Sequence, residues 1–159
     1  MIRRLKTKEI KWLLIALLAT AVLVGLSFSA LAVCSLSSTS ISFGNYDVFS
    51  TAALDSNGSL VYRCGNADHD ISVSLNHGGA PSFNPRWMLK GSEVLNYNLY
   101  LDAARTVIWG DGTAGTQTYI IHNPPNNQDV TVPVYGRVPP GQSISKGAYS
   151  DTITVTINF

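Results

Sequence analysis

Little in this chain invites chemistry. Charged residues are few, eleven Lys/Arg and ten Asp/Glu in 159 residues, with three histidines and two cysteines. A nucleophilic site needs a base within hydrogen-bond reach and a third group to orient it. The only compact cluster of that kind is Asp68-His69-Asp70. Adjacent residues on a strand point to opposite faces, so these three do not converge and read as a polar turn entering a strand. His77 precedes a Gly-Gly turn and His122 a Pro-Pro loop, which makes both loop residues. Residues 110–115 are glycine-rich but lack the following helix and the lysine of a phosphate cradle. No enzyme, no cofactor and no metal site is expected.

Basic and long apolar runs are confined to one end. Arg3, Arg4, Lys6, Lys8 and Lys11 precede residues 12–28, which are apolar apart from Thr20 and Ser27. Small-x-small sites follow at 19–21 and 30–32. A charged start, an apolar stretch and such a site make a secretory signal, expected over residues 1–32 with the domain proper over 33–159. The alternative is a membrane anchor, since the apolar run approaches spanning length. Without the leader's five cations and Glu9, six Lys/Arg face nine Asp/Glu, a net charge of −3. That balance gives no reason to expect nucleic acid or an anionic membrane as partner.

Both cysteines, Cys34 and Cys64, fall in the exported part. An even pair in an oxidising compartment reads as a disulfide, and closing a loop of about thirty residues contributes roughly 3–4 kcal/mol in the chain-entropy model. The competing reading is lipidation of Cys34, because residues 31–34 loosely resemble a lipoprotein box. Val33 is bulky where such boxes want a small residue, and Cys64 would be left unpaired.

Beyond the leader no helix announces itself, and apolar residues recur at period two. Ile71, Val73 and Leu75 alternate with serines and Asn76; Leu95, Tyr97, Leu99 and Leu101 with polar residues or Tyr100; Val130, Val132 and Val134 with Thr131 and Pro133. Shorter candidate strands are 40–43, 58–64, 87–90, 106–109 and 116–121. Turn chemistry separates them at Asn57-Gly58, His77-Gly78-Gly79, Asp111-Gly112, residues 123–127 and Pro139-Pro140-Gly141. This predicts one all-β sandwich with Greek-key connections, Pro133 sitting on an edge or with its missing N–H outward. The alternation runs to the last residue. Ile153, Val155, Ile157 and Phe159 share one face; Thr152, Thr154, Thr156 and Asn158 share the other. A strand held in a core to its end must be paired by something. On the residues alone, the four apolar ones are equally the core of a complete sandwich or the edge of an incomplete one.

Several segments in order resemble the spore coat protein U domain family: Cys34-Ser35-Leu36-Ser37, Phe43-Gly44-Asn45-Tyr46-Asp47, residues 58–64, residues 95–105, Trp109-Gly110-Asp111-Gly112, residues 132–137, residues 147–152 and residues 155–159. The family includes subunits of archaic chaperone–usher pili, surface fibres used in attachment and biofilm formation. The resemblance implies a single incomplete immunoglobulin-like Greek-key sandwich with an open groove beside its C-terminal strand, completed by a donor strand from a partner. A periplasmic chaperone fills such a groove, and an outer-membrane usher exchanges it for the extension of the neighbouring subunit. Ile153, Val155, Ile157 and Phe159 would form the acceptor edge, and the carboxylate of Phe159 would meet basic residues of the chaperone. The product would pass through the periplasm to the cell surface or the medium as a fibre or coat subunit.

Shaft subunits of this kind carry a donor segment before the first cysteine. Cleavage after Ala32 leaves only Val33 there; cleavage after Ala21 leaves residues 22–33, where Val22, Val24, Leu26 and Phe28 alternate. The later site is favoured because the earlier one shortens the apolar stretch to its lower limit. A subunit without a donor belongs at a fibre end or stands alone as a coat protein. The rival function is therefore a tip adhesin or solitary binding module, recognising a surface or glycan through loop aromatics, Trp87 and Trp109 first, then Tyr119 and Tyr135.

Overall fold

The computed structural model describes residues 33–65 and 70–159, and among them there is no helix. Eight strands form: β1 (Val33–Ser38), β2 (Leu54–Gly65), β3 (Ile71–Leu75), β4 (Arg86–Lys90), β5 (Glu93–Tyr100), β6 (Tyr119–Ile121), β7 (Asp129–Val138) and β8 (Val155–Asn158). They lie in a five-stranded sheet of order β1-β2-β7-β5-β4 and a three-stranded sheet of order β6-β3-β8. The chain changes sheet at β2–β3, β3–β4, β5–β6, β6–β7 and β7–β8, giving the expected immunoglobulin-like sandwich. The leader and the Asp68-His69 pair lie outside the described residues; Asp70, next to them, meets His122 Nδ1 at 2.7 Å.

Alternation sets the core. Leu60, Tyr62 and Cys64 of β2 point inward with Val132, Val134 and Val138 of β7 and Leu95, Tyr97 and Leu99 of β5, against Ile71, Val73 and Leu75 of β3. β2 and β7 pair over ten residues, from Leu54↔Val138 to Arg63↔Asp129. β5 pairs with β7 only at residues 135–137, so Pro133 sits on a stretch partnered by β2 alone, in line with its missing donor. Cys34 lies directly opposite Cys64, and the two form a disulfide that fastens edge strand β1 to β2. No free thiol remains for lipidation.

Two local expectations are corrected. Residues 40–43 are not a strand, and Asn57-Gly58 is not a turn but lies inside β2. One arrangement explains both. After β1 the chain crosses the inner face of the five-stranded sheet, and its apolar side chains sit where that sheet has no side chains of its own. A Cβ on Gly58 would lie 2.5 Å from Ile41, and one on Gly136 of β7 would lie 2.7 Å from the Phe43 ring. Phe43 then meets Tyr97 edge-on, with ring centroids 5.9 Å apart. Here the glycines provide close approach within a strand.

The core also encloses a guanidinium. Arg86 is fully buried and donates from Nε and one terminal nitrogen to the Asn76 carbonyl, to the Trp109 carbonyl at 2.6 Å and to Asn98 Oδ1 at 2.7 Å. Burial lowers its pKa to about 10, so it remains a cation at neutral pH. Hydrogen bonds to every side of the fork make such a buried charge tolerable.

Candidate functional site: a groove along the last strand

β8 pairs with β3 through Ser72↔Asn158, Val73↔Ile157, Ser74↔Thr156 and Leu75↔Val155; its other side meets no strand among the described residues. The strand is four residues long although the alternation runs over residues 152–159, because the chain changes partner on the way. Ser150 exchanges backbone hydrogen bonds with Leu89 of β4, in the other sheet, at 2.8 and 3.1 Å. Thr154 then bonds to Asn76, its carbonyl accepting from the backbone N–H and its own N–H reaching Oδ1. The inward/outward period survives the crossing while the ladder does not.

Beside this segment the sandwich is open. A groove of about 380 Å³ runs between residues 38–43 on one side and residues 149–155 on the other. Its floor is apolar and comes from both sheets: Leu60, Leu75, Met88, Tyr97, Leu99 and Val134. Ile153 and Val155 line the groove. Ile157 is half-buried and packs on the core opposite Val73; Phe159 lies past the end of β8 and is 54% exposed. The proposed edge is thus split, two residues in the groove wall and two beyond it.

The wall carrying β8 is firmly held. Asp151, which the sequence reading did not single out, accepts hydrogen bonds from Tyr97 Oη at 2.6 Å, from the Gly79 N–H at 2.9 Å and from its neighbour Thr152. Burial, and then the bond to Asp151, push the Tyr97 phenol well above its ordinary range, so it is always the donor. Glu93 collects Ser145, Tyr149 and Lys90, and these bonds lower its pKa to about 2. The opposite wall is tied to β2: Thr39 donates from its N–H and Oγ1 to the Ser59 carbonyl and accepts from the Ser59 N–H, and the Ser42 carbonyl accepts from Ser56 Oγ. Asp151→Ala is expected to lower monomer stability by about 2–3 kcal/mol, the range for a charged hydrogen-bonded group with a buried partner. Chemical denaturation of the variant, of Tyr97→Phe and of the double mutant checks it; a coupling near zero would mean that the pair does not hold the wall.

The aromatic surface site is corrected. Trp109 has no exposed area, its indole donating to the Val73 carbonyl at 2.9 Å and its ring packing on Tyr119 at 5.9 Å. Trp87 is half-buried on β4 opposite Asn96, and Tyr135 lies against Arg105. No exposed aromatic pair forms among these residues. Among the described residues no group of three His, Cys, Asp or Glu is placed to hold a metal ion.

Comparison with known proteins points the same way as the groove. The family model described as Spore Coat Protein U domain matches residues 20–156. Protein U of Myxococcus xanthus is 32% identical over 132 residues, covering 75% of this chain and 71% of that protein. A chain in the crystal structure of the CsuC–CsuE chaperone–tip adhesion subunit pre-assembly complex, from archaic chaperone–usher Csu pili of Acinetobacter baumannii, is similar in fold, with a TM-score of 0.59 at 24% identity. The likeness covers 81% of the present chain and 40% of that one, so the chain spans less than half of its solved neighbour.

Proposed function

The chain belongs to the Spore Coat Protein U domain family, and from that premise we propose that it is an exported structural subunit of a surface fibre or coat, assembled by exchange of strands and without catalytic role. The observation that carries the reading is the conjunction of a side of β8 that no strand meets among the described residues with an apolar groove beside it. An open edge above exposed core is an aggregation hazard unless another chain covers it, and a strand laid there gains backbone bonds and side-chain pockets together. A periplasmic chaperone is the first occupant in this reading; an outer-membrane usher then passes the groove to the next subunit. Adhesion and biofilm formation are the roles such a fibre would serve. Cleavage after Ala32, the favoured site, makes it a subunit that accepts a strand without donating one; cleavage after Ala21 makes it one that does both.

The test is the intact mass of the exported protein before and after reduction, with gel analysis of unheated and boiled samples. One disulfide and multimers that collapse on boiling are the expected result, and a start at Val22 would mark a subunit that also donates a strand. A start at Val33 would make it an acceptor only, at a fibre end or in a coat. A stable monomer that never multimerises and accumulates without any chaperone would overturn strand exchange.

A further inference from the structure

Asn76 follows β3 directly, and the register that pairs Ser72 with Asn158 and Ser74 with Thr156 brings it opposite Thr154. On an antiparallel ladder every second pair exchanges two backbone bonds, one in each direction. Half of that exchange is present, the Asn76 N–H donating to the Thr154 carbonyl at 3.1 Å. The return bond goes elsewhere: the Thr154 N–H donates to Asn76 Oδ1 at 2.9 Å. The Asn76 carbonyl accepts instead from Arg86, from Nε at 3.1 Å and from Nη2 at 2.9 Å. The same Oδ1 takes the Gly78 N–H at 3.1 Å, which fixes it at the end of the ladder. Arg86 itself is held from the other sheet. It stands on β4, fully buried, and bonds Asn98 Oδ1 of β5 and the Trp109 carbonyl. A guanidinium of the five-stranded sheet thus takes a ladder acceptor from the three-stranded one. On the far side of the break, Ser150 is already bonded to Leu89 of β4, and Ile153, between the two, lines the groove.

We propose that Arg86 is the positioning residue of the groove: by drawing the Asn76 carbonyl out of the β3–β8 ladder it stops that ladder at Thr154 and sends residues 151–153 across to β4, where they form the wall. Asn76 makes the stop tolerable, because its side chain satisfies the Thr154 N–H that would otherwise be left without an acceptor. Without the guanidinium, the Asn76 carbonyl is free to take the Thr154 N–H and complete the pair. The segment before Thr154 then loses the offset that carries it toward β4, and the wall loses its fixed place. The purpose given to the groove rests on the strand-exchange reading above; the assignment of Arg86 concerns how the free subunit shapes its own wall.

The experiment follows amide hydrogen exchange of the full exported chain, residue by residue, by NMR, with the amides of β2 and β7 as the measure of global stability. The proteins are wild type, Asn76→Ala, Asn76→Asp, Arg86→Met and the double variant Arg86→Met/Asn76→Ala. In Asn76→Ala the Thr154 N–H has lost its acceptor and should exchange at least tenfold faster relative to those references. Asn76→Asp keeps a side-chain oxygen there and should restore protection. In the double variant the freed main-chain carbonyl should protect Thr154 again, a reversal that a merely structural arginine would not give. Both proteins without the guanidinium should lose protection at Ser150, again at least tenfold, and form fewer boil-sensitive multimers. Thr154 still protected in Asn76→Ala would show that Arg86 does not withdraw the carbonyl, and would overturn the inference even where the arginine variants fail to fold. Thr154 unprotected in a folded double variant, or Ser150 as protected as in wild type, would overturn it as well. Wild type that never multimerises, with the exchange pattern as expected, would overturn strand exchange and leave Arg86 as the residue that directs the last strand.

Discussion

Replacing Ile157 by aspartate is expected to remove the subunit from the periplasm. Ile157 faces Val73, which is 1% exposed, across the ladder that joins β8 to β3. A carboxylate there loses the apolar contact and brings a charge against the apolar core, a cost of about 3–5 kcal/mol. That is a large part of the total stability of a domain of this size, and the free subunit still lacks the strand that would complete it. Immunoblots of periplasmic extracts should show little Ile157→Asp chain and no chaperone complex. Two companions separate fold from groove. Thr156→Asp, next along the strand but outward and exposed, should accumulate normally. Phe159→Ala, half-exposed beyond β8, should melt close to wild type yet be captured less well by the chaperone. Normal levels and capture of both Ile157→Asp and Phe159→Ala would sink the acceptor-edge assignment.

The same terminal strand shows what a sequence conveys and what it withholds. Period two told correctly which side of residues 153–157 faces the core, because side-chain direction follows from extended backbone alone. It did not tell which strand provides the hydrogen bonds, and the terminal segment uses two sheets in turn. Residues 40–43 carry the same ambiguity: Ile41 and Phe43 alternate like a strand, but they seat over Gly58 and Gly136 instead of joining a ladder. Asn57-Gly58 reads as a turn because that dipeptide usually is one; a glycine needed for close approach looks identical in a single sequence. Asp151 did leave a signal. It falls in phase with Ile153, Val155 and Ile157, an acid on an apolar face that had to find partners, and Tyr97 and the Gly78-Gly79 turn supply them. Arg86 left none. Trp87 and Leu89 on the opposite phase are as apolar as Met88, so β4 gives no reason to place the arginine inside. Trp109 was misread for a related reason: a loop tryptophan suggests exposure, but this loop stitches the sheets, its backbone bonding to Leu99 and the next residue accepting from Leu75.

Breaking the disulfide is expected to be the other large effect. Cys34 and Cys64 are 30 residues apart, and fixing a loop of that size lowers the free energy of folding by about 3–4 kcal/mol through the unfolded chain. The contribution is local in consequence. Among the described residues β1 is an edge strand partnered by β2 alone, and residues 38–43, which continue from it, form one wall of the groove. Cys64→Ser also leaves a hydroxyl where the side chain has no exposed area, adding a desolvation cost of about 1–3 kcal/mol. The single variant should therefore be less stable than Cys34→Ala/Cys64→Ala, which loses the staple but buries no new polar group. Denaturant midpoints of the three proteins, with wild type measured again under reductant, check the ordering. If the staple acts through the groove wall, the reduced protein should also release a bound donor peptide faster than the oxidised one, beyond what its lower midpoint accounts for. Equal midpoints for oxidised and reduced wild type would remove the disulfide from the stability argument. Equal peptide release at matched stability would leave it a staple of the fold alone.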